Sequence, residues 1–141
     1  MQAGDFYFHE RFYRDAETGE LKPKYLVLLA PGPGGDWVTR LLTSRASMRS
    51  EKPRCDHGDP YPGYYLGVPG GSLTRKTWVD LRAMPDLDAG SIVALEAKGT
   101  MRTSFRLTPK VLIEVLDCAA GAPDTTAQQE RALRDQIALI R

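Results

Sequence analysis

The sequence has very little cysteine, and this scarcity excludes a small secreted domain held together by disulfides. Its two cysteines, Cys55 and Cys118, lie far apart in a chain of 141 residues. A chain of this length buries a core large enough to fold without disulfides or a structural metal. Residues 1–5 lack the basic and apolar stretches of a secretion signal, so we expect a cytoplasmic protein whose thiols are reduced, with a disulfide between the two cysteines as the alternative.

Long apolar runs and an excess of one charge sign are also missing. No uncharged run approaches the ~20 apolar residues that a membrane-spanning helix needs, so we expect no membrane partner. Lys and Arg number 19 against 18 Asp and Glu, and the resulting net charge of +1 gives no overall preference for a polyanion. The hydrophobic share of 42% is that of a globular domain and excludes a disordered chain.

The motifs that mark nucleotide, metal and nucleophile sites are absent as well. The chain contains no P-loop, GxGxxG, HExxH, CxxC or GxSxG pattern, so we predict no cofactor and no bound metal. Cys55, His57 and Asp59 carry zinc-binding atoms, but they are crowded together and the other histidine, His9, lies in a distant segment. A hydrogen-bonded loop is the favoured interpretation of these residues.

What the sequence does contain is a series of short apolar and aromatic segments separated by turn residues. Aromatic residues favour strands, and a short continuous apolar run between turns indicates a strand buried on both faces. Residues 25–30 form such a run before a turn rich in proline and glycine. The predicted strands are 5–14, 25–30, 37–43, 64–68, 72–81 and 101–107.

Three segments carry helical signals. Residues 89–97 form a short predicted helix that ends before a glycine. Thr108 and Pro109 suit the N-cap and the first position of a second helix. Thr125 or Thr126 starts a third helix, because each has a glutamine three residues later.

Strands first and helices last predict a mainly β fold, a small antiparallel barrel or sheet with helices packed at one end. We assign residues 1–120 to the β domain, which includes a long irregular segment over 44–63. Residues 121–141 form an amphipathic C-terminal helix that we expect to pack on the same domain. Its apolar face consists of Leu133, Ile137 and Ile140.

One stretch departs from the overall charge balance. Residues 37–55 carry five basic side chains against the single acidic Glu51, and three tyrosines follow. Arginine contacts phosphates and tyrosine stacks on unpaired bases, so this stretch is a candidate RNA-binding surface. The alternative is a solvated loop whose tyrosines pack on the core. The candidate RNA-binding residues are Arg40, Arg45, Arg49, Arg54, Tyr61 and Tyr64.

Several short segments also resemble, in their order and spacing, those of one family. The segments are GDFYF at 4–8, PKYLVLL at 23–29, LLTS at 41–44, VDLRA at 79–83 and LTP at 107–109. They resemble segments of the MazF/PemK (Kid) family, the toxins of type II toxin–antitoxin modules. The resemblance extends over about residues 4–116.

The resemblance implies an SH3-like antiparallel β-barrel that forms a homodimer and has a cognate antitoxin protein as a partner. It also implies a metal-independent endoribonuclease that cleaves single-stranded RNA by using the RNA's own 2′-hydroxyl. The positions that match the family's site are Lys24, Thr43, Ser44 and Asp80. His57 is the additional candidate base or acid, because its unperturbed pKa lies near neutrality.

Two positions depart from the family pattern. Lys24 replaces an arginine and loses its planar fork, and Trp78 stands where the Kid-type toxins have a second arginine. The first alternative is therefore a catalytically inactive RNA- or protein-binding module on the same barrel. A small structural or interaction module is the other alternative. The chain's candidate replacements are Arg45, His57, Arg75 and Lys76.

The sequence also predicts a geometry for the active site. Lys24 begins the second strand and Thr43 ends the third, so antiparallel pairing brings the two together. If the protein is a ribonuclease, we expect both residues to face one cleft, with Asp80 near its rim.

Overall fold

The computed structural model describes residues 1–141 as eight β-strands and three α-helices. The strands are β1 (Asp5–Arg14), β2 (Leu21–Pro31), β3 (Asp36–Thr43), β4 (Cys55–Asp56), β5 (Gly63–Gly67), β6 (Thr77–Asp80), β7 (Leu87–Asp88) and β8 (Met101–Arg106). The helices are α1 (Ala89–Ala97), α2 (Pro109–Ala120) and α3 (Ala127–Ile140). The prediction of a mainly β fold with C-terminal helices is confirmed.

The eight strands form one antiparallel sheet. Its order is β4-β5-β6-β3-β2-β1-β8, and β7 pairs with the start of β3. β4 and β8 end this order without pairing with each other, so hydrogen bonding does not close the sheet into a barrel. β3 joins the two halves, because it pairs with β2 up to Leu41 and with β6 through Leu42 and Thr43.

The apolar run of β2 is buried on both of its faces, as its sequence predicts. Val27 and Leu29 belong to the main core, which also includes residues of α2 and α3. Leu26 and Leu28 belong to a second core with Ile92 of α1. Successive side chains of a strand point to opposite faces, so a strand between two cores needs a continuous apolar sequence.

The last helix starts at the predicted capping box and closes the main core. Thr126 Oγ1 accepts a hydrogen bond from the backbone N–H of Gln129, and Gln129 Oε1 accepts one from the backbone N–H of Thr126, both at 3.1 Å. Leu133 and Ile137 are buried in the main core. None of the three helices combines the length and the apolar composition that crossing a bilayer requires.

The segment over 44–63 contains the short strand β4 and is otherwise irregular. β4 pairs with β5 and packs against α2, and there Cys55 and Cys118 form a disulfide. The expectation of two reduced thiols is therefore wrong for this structure. The two cysteines are distant in the sequence, and only the packing of β4 on α2 brings them together.

Candidate active-site cleft

A cleft opens where the start of β2 meets the end of β3. It consists of two adjoining pockets of about 380 and 460 Å³, whose walls share Lys24, Leu42, Thr43 and Arg45. The first pocket extends to Ser44 and Arg75, and the second extends to Arg49, Tyr61, Asp80 and Arg82. We refer to these two pockets together as the cleft.

Lys24 of β2 and Thr43 of β3 lie in the same cleft. The two strands pair as far as Leu26 and Leu41, and Lys24 and Thr43 each lie two residues beyond that pair. Both side chains line both pockets, and Asp80 lies in the wall of the second. The structure thus brings these three residues to one cleft, although β2 begins at Leu21, three residues before Lys24; their catalytic roles stay a prediction.

Asp80 lies at the end of β6 with its carboxylate almost entirely buried. Arg82 Nε donates to Asp80 Oδ1 and Oδ2 at 3.0 and 3.1 Å, and Arg82 Nη2 donates to Oδ2 at 2.6 Å. Arg49 Nη2 lies 3.8 Å from the same Oδ2. Burial alone raises the pKa of the Asp80 carboxyl, but the hydrogen bonds and charges of the two arginines outweigh it and hold that pKa below its ordinary value.

Asp80 is consequently an ionised carboxylate whose two oxygens are both occupied. A carboxylate in this state orients its partners and is poorly suited to take a proton from a substrate. Its first partner is Arg82, which makes a fork-like contact of the kind that gives geometric precision as well as attraction.

Arg82 is the member of this cluster that reaches solvent. Its side chain is 52% exposed, whereas that of Arg49 is 4% exposed, and Arg82 Nη1 makes no hydrogen bond within the protein. The guanidinium carbons of Arg82 and Arg49 lie 5.3 and 4.6 Å from the centroid of the Tyr61 ring. Arg82 therefore places in the cleft a guanidinium group that Asp80 orients and whose Nη1 is free to donate a hydrogen bond.

The cleft as a whole is basic. Its lining cations are Lys24, Arg45, Arg49, Arg75 and Arg82. Asp80 is the single carboxylate in its walls. The rings of Phe8 and Tyr25 also line the first pocket, with centroids 4.9 Å apart. Cations beside flat aromatic rings suit a phosphodiester backbone with unpaired bases.

Besides Arg49, whose side chain is 4% exposed, two further predicted RNA-binding residues are buried. Arg40 is 0% exposed, and its Nη2 donates to Gln129 Oε1 of α3 at 3.2 Å, because this position of β3 faces the last helix. Tyr64 is 3% exposed and donates to Glu114 Oε2 at 2.6 Å. Burial raises the pKa of Tyr64, and the contact with Glu114 raises it further. Neither side chain reaches the surface, so the prediction that Arg40 and Tyr64 bind RNA is wrong.

One predicted RNA-binding residue, Arg54, and one predicted catalytic residue, His57, lie outside the cleft. Arg54 donates from Nη1 to the carbonyl of Tyr65 at 2.9 Å and rests on the ring of the same residue, 5.4 Å from its centroid. His57 lies against the disulfide at the end of α2, with Nε2 2.7 Å from the carbonyl oxygen of Cys118. His57 is therefore not the base or acid of the cleft, in contrast to the sequence prediction.

Arg82 is the main residue of the cleft that sequence reasoning did not single out. The sequence did carry a signal for it. Asp80 and Arg82 flank Leu81, which is fully buried, and residues two apart on an extended segment lie on the same side. An aspartate and an arginine on either side of a buried residue therefore indicate an ion pair on the face of the segment that points away from that residue's side chain.

Comparisons with protein-family models, with curated proteins and with solved structures find no match to the chain. Support for a function therefore comes from the geometry of the cleft and from the resemblance of its segments.

Proposed function

We propose that the protein is a metal-independent endoribonuclease that cleaves single-stranded RNA, the toxin of a type II toxin–antitoxin module. In this proposal the sheet is a divergent SH3-like barrel of the MazF/PemK type. The observation that carries it is the cleft, whose walls contain five cations, several hydroxyl side chains and a single carboxylate, which is buried. A homodimeric state, a cognate antitoxin protein and a cytoplasmic location belong to the same proposal.

The proposed reaction uses a nucleophile that the RNA supplies. The 2′-oxygen of one ribose attacks the adjacent phosphorus, and the bond from phosphorus to the 5′-oxygen of the next nucleotide breaks. The products are a 2′,3′-cyclic phosphate and a 5′-hydroxyl, and no water is consumed. Negative charge grows on the phosphoryl oxygens in the transition state, so cations placed beforehand lower the barrier.

Three side chains of the cleft suit that electrostatic role. Arg82 offers its free Nη1 while Asp80 holds the rest of its guanidinium group. Lys24 contributes an ammonium group and Thr43 a hydroxyl donor from the neighbouring strand ends. Arginine at position 82 thereby adds a second positive charge beside Lys24, with one free donor nitrogen, because Asp80 occupies the other two.

Replacing Lys24 or Thr43 by alanine should each lower RNA cleavage at least about tenfold, roughly 1.4 kcal/mol of barrier. The expected loss reflects the missing charge or donor beside the reacting phosphate. Cleavage of a labelled single-stranded RNA under single-turnover conditions measures it. Lys22→Ala is the matched control, because Lys22 lies on the same strand, pairs with Glu20 at 3.4 Å and lines neither pocket. If both variants cleave RNA as fast as the wild type, the cleft is not where the reaction takes place.

A second candidate function is RNA binding without cleavage, and one observation favours it. The carboxylate of Asp80 is engaged by two arginines, and His57 lies outside the cleft. The cleft therefore holds phosphate-binding groups without a free carboxylate or imidazole to accept a proton. In this case the wild-type protein binds RNA and leaves it intact.

Both candidates predict a salt-dependent complex with RNA. Arg45 and Arg75 are exposed in the cleft, and each phosphate contact releases counterions. Arg45→Ala and Arg75→Ala should each weaken binding and flatten the plot of log K against log salt by about 0.7. Fluorescence anisotropy at several salt concentrations measures the slope. Arg131→Ala, on the exposed side of α3, should leave it unchanged. If Arg45→Ala and Arg75→Ala keep the same slope as Arg131→Ala, the cleft is not the surface that binds RNA.

A further inference from the structure

The disulfide region contains three metal-ligating side chains that lie outside the cleft. Cys55, His57 and Cys118 meet where the segment over 44–63 packs against the end of α2, and their ligand atoms all lie within 4.8 Å of one another. His57 Nε2 is 3.4 Å from Cys55 Sγ and 3.6 Å from Cys118 Sγ. None of the three residues lines either pocket of the cleft.

These separations match the edges of a tetrahedral metal site. Zinc binds thiolate sulfur at about 2.3 Å and imidazole nitrogen at about 2.0–2.1 Å, which puts a nitrogen and a sulfur of one tetrahedron about 3.5 Å apart. The distances from His57 Nε2 to the two sulfur atoms, 3.4 and 3.6 Å, lie on either side of this tetrahedral edge length. The cysteine Cα atoms are 5.7 Å apart, so small side-chain rotations of the reduced thiols reach the sulfur–sulfur edge of about 3.8 Å.

The surroundings of the cluster favour a cation. Cys118 lies in the last turns of α2, and the carbonyl end of a helix carries partial negative charge. The backbone also leaves room for the imidazole ring, because a Cβ atom at Gly121 would lie 3.0 Å from His57 Cε1. Gly121 thus leaves the space that the ring occupies, and the hydrogen bond from His57 Nε2 to the carbonyl oxygen of Cys118 holds the ring near both sulfur atoms.

We propose that Cys55, His57 and Cys118 bind a zinc ion when the disulfide is reduced. A dithiol reductant gives two electrons and two protons to the disulfide and becomes a disulfide itself. Zinc then displaces the two thiol protons, binds both thiolates and neutral His57 Nε2, and takes water as its fourth ligand. In the disulfide form His57 Nε2 donates to the carbonyl oxygen of Cys118 at 2.7 Å, so zinc binding breaks this hydrogen bond and the ring proton moves to Nδ1. Disulfide and metal are thus alternative links between the segment over 44–63 and α2.

Cobalt(II) is the probe for this site, because thiolate-bound cobalt absorbs visible light, whereas thiolate-bound zinc has no absorption in that range. The full chain, reduced and kept without oxygen, should bind one equivalent of Co²⁺ with a thiolate-to-cobalt charge-transfer band. Zn²⁺ should abolish that band by displacement. The oxidised chain should show no band, because its sulfur atoms are bonded to each other.

Histidine variants keep both cysteines and so test the assignment directly. Loss of a group that merely supports a ligand costs about 10- to 100-fold in metal affinity, so His57→Ala should weaken Zn²⁺ binding at least about tenfold. His9→Ala is the matched control and should bind like wild type, since His9 lies in β1. Competition with a chromophoric chelator measures both affinities.

Several results would overturn the proposal. They are a reduced chain without the charge-transfer band, a band of equal strength in the oxidised chain, and His57→Ala with wild-type affinity. If the reduced chain loses its near-UV circular dichroism, Zn²⁺ should restore the signal, and failure to do so also contradicts the site. None of these measurements depends on RNA cleavage, so they test the metal site independently of the proposed ribonuclease activity.

Discussion

Replacing Arg82 by alanine should reduce RNA cleavage about 100-fold, the typical cost of removing one donor that stabilises developing negative charge. Arg82 is half exposed in the cleft, and Asp80 holds it through three hydrogen bonds. The variant therefore removes the best-oriented cation beside the reacting phosphate. Single-turnover cleavage of a labelled single-stranded RNA measures the loss, and a thermal melt of the same sample reports whether the fold is intact.

Two further variants separate chemistry from structure. Arg82→Lys keeps the charge but loses the fork, so it should recover only part of the activity. Arg134→Ala removes a comparable group on α3, 47% exposed and 2.6 Å from Asp117 Oδ1, and should leave cleavage unchanged. Wild-type cleavage by a folded Arg82→Ala variant would show that this arginine takes no part in the reaction.

The second large effect concerns stability. Leu133→Ala should lower the free energy of unfolding by about 2–5 kcal/mol, because Leu133 of α3 is fully buried in the main core. Leu139→Ala makes the same chemical change in the same helix, but Leu139 is 78% exposed and should cost no more than about 0.5 kcal/mol. Urea unfolding of both variants, with the disulfide intact, measures the difference.

Equal stability of the two leucine variants would mean that α3 does not close the core. The contact of α3 with β3 would then also be in question, because Arg40 is buried against Gln129 of the same helix. A clear difference would establish that the C-terminal helix is part of the folding unit that holds the cleft.

Local sequence patterns predicted most of the secondary structure. The apolar run of residues 25–30 is a strand between two cores, and the pair Thr126 and Gln129 is a capping box at the start of α3. The shared cleft of Lys24 and Thr43 also follows from sequence, because antiparallel pairing of the second and third strands brings the early part of one near the end of the other. Each of these features depends on neighbours in the chain or on a single strand pairing.

Contacts between distant elements were the part that sequence could not supply. The burial of Arg40 requires α3 to lie over β3, and the burial of Tyr64 beside Glu114 requires α2 to pack on β5. The disulfide likewise requires β4 to meet α2. Arg40 and Tyr64 lie in predicted strands, but which face of a strand is covered is known only once the covering helix is placed, so charge and composition alone put too many residues on the RNA surface.

The chemistry of the RNA products tests the central claim most directly. The wild-type protein is incubated with a single-stranded RNA of defined sequence in excess EDTA, and the fragments are identified by mass spectrometry. We expect cleavage that is insensitive to EDTA and leaves a 2′,3′-cyclic phosphate on one fragment and a 5′-hydroxyl on the other. Intact RNA, or fragments that end in 3′-hydroxyl and 5′-phosphate and form only with added metal, would contradict it.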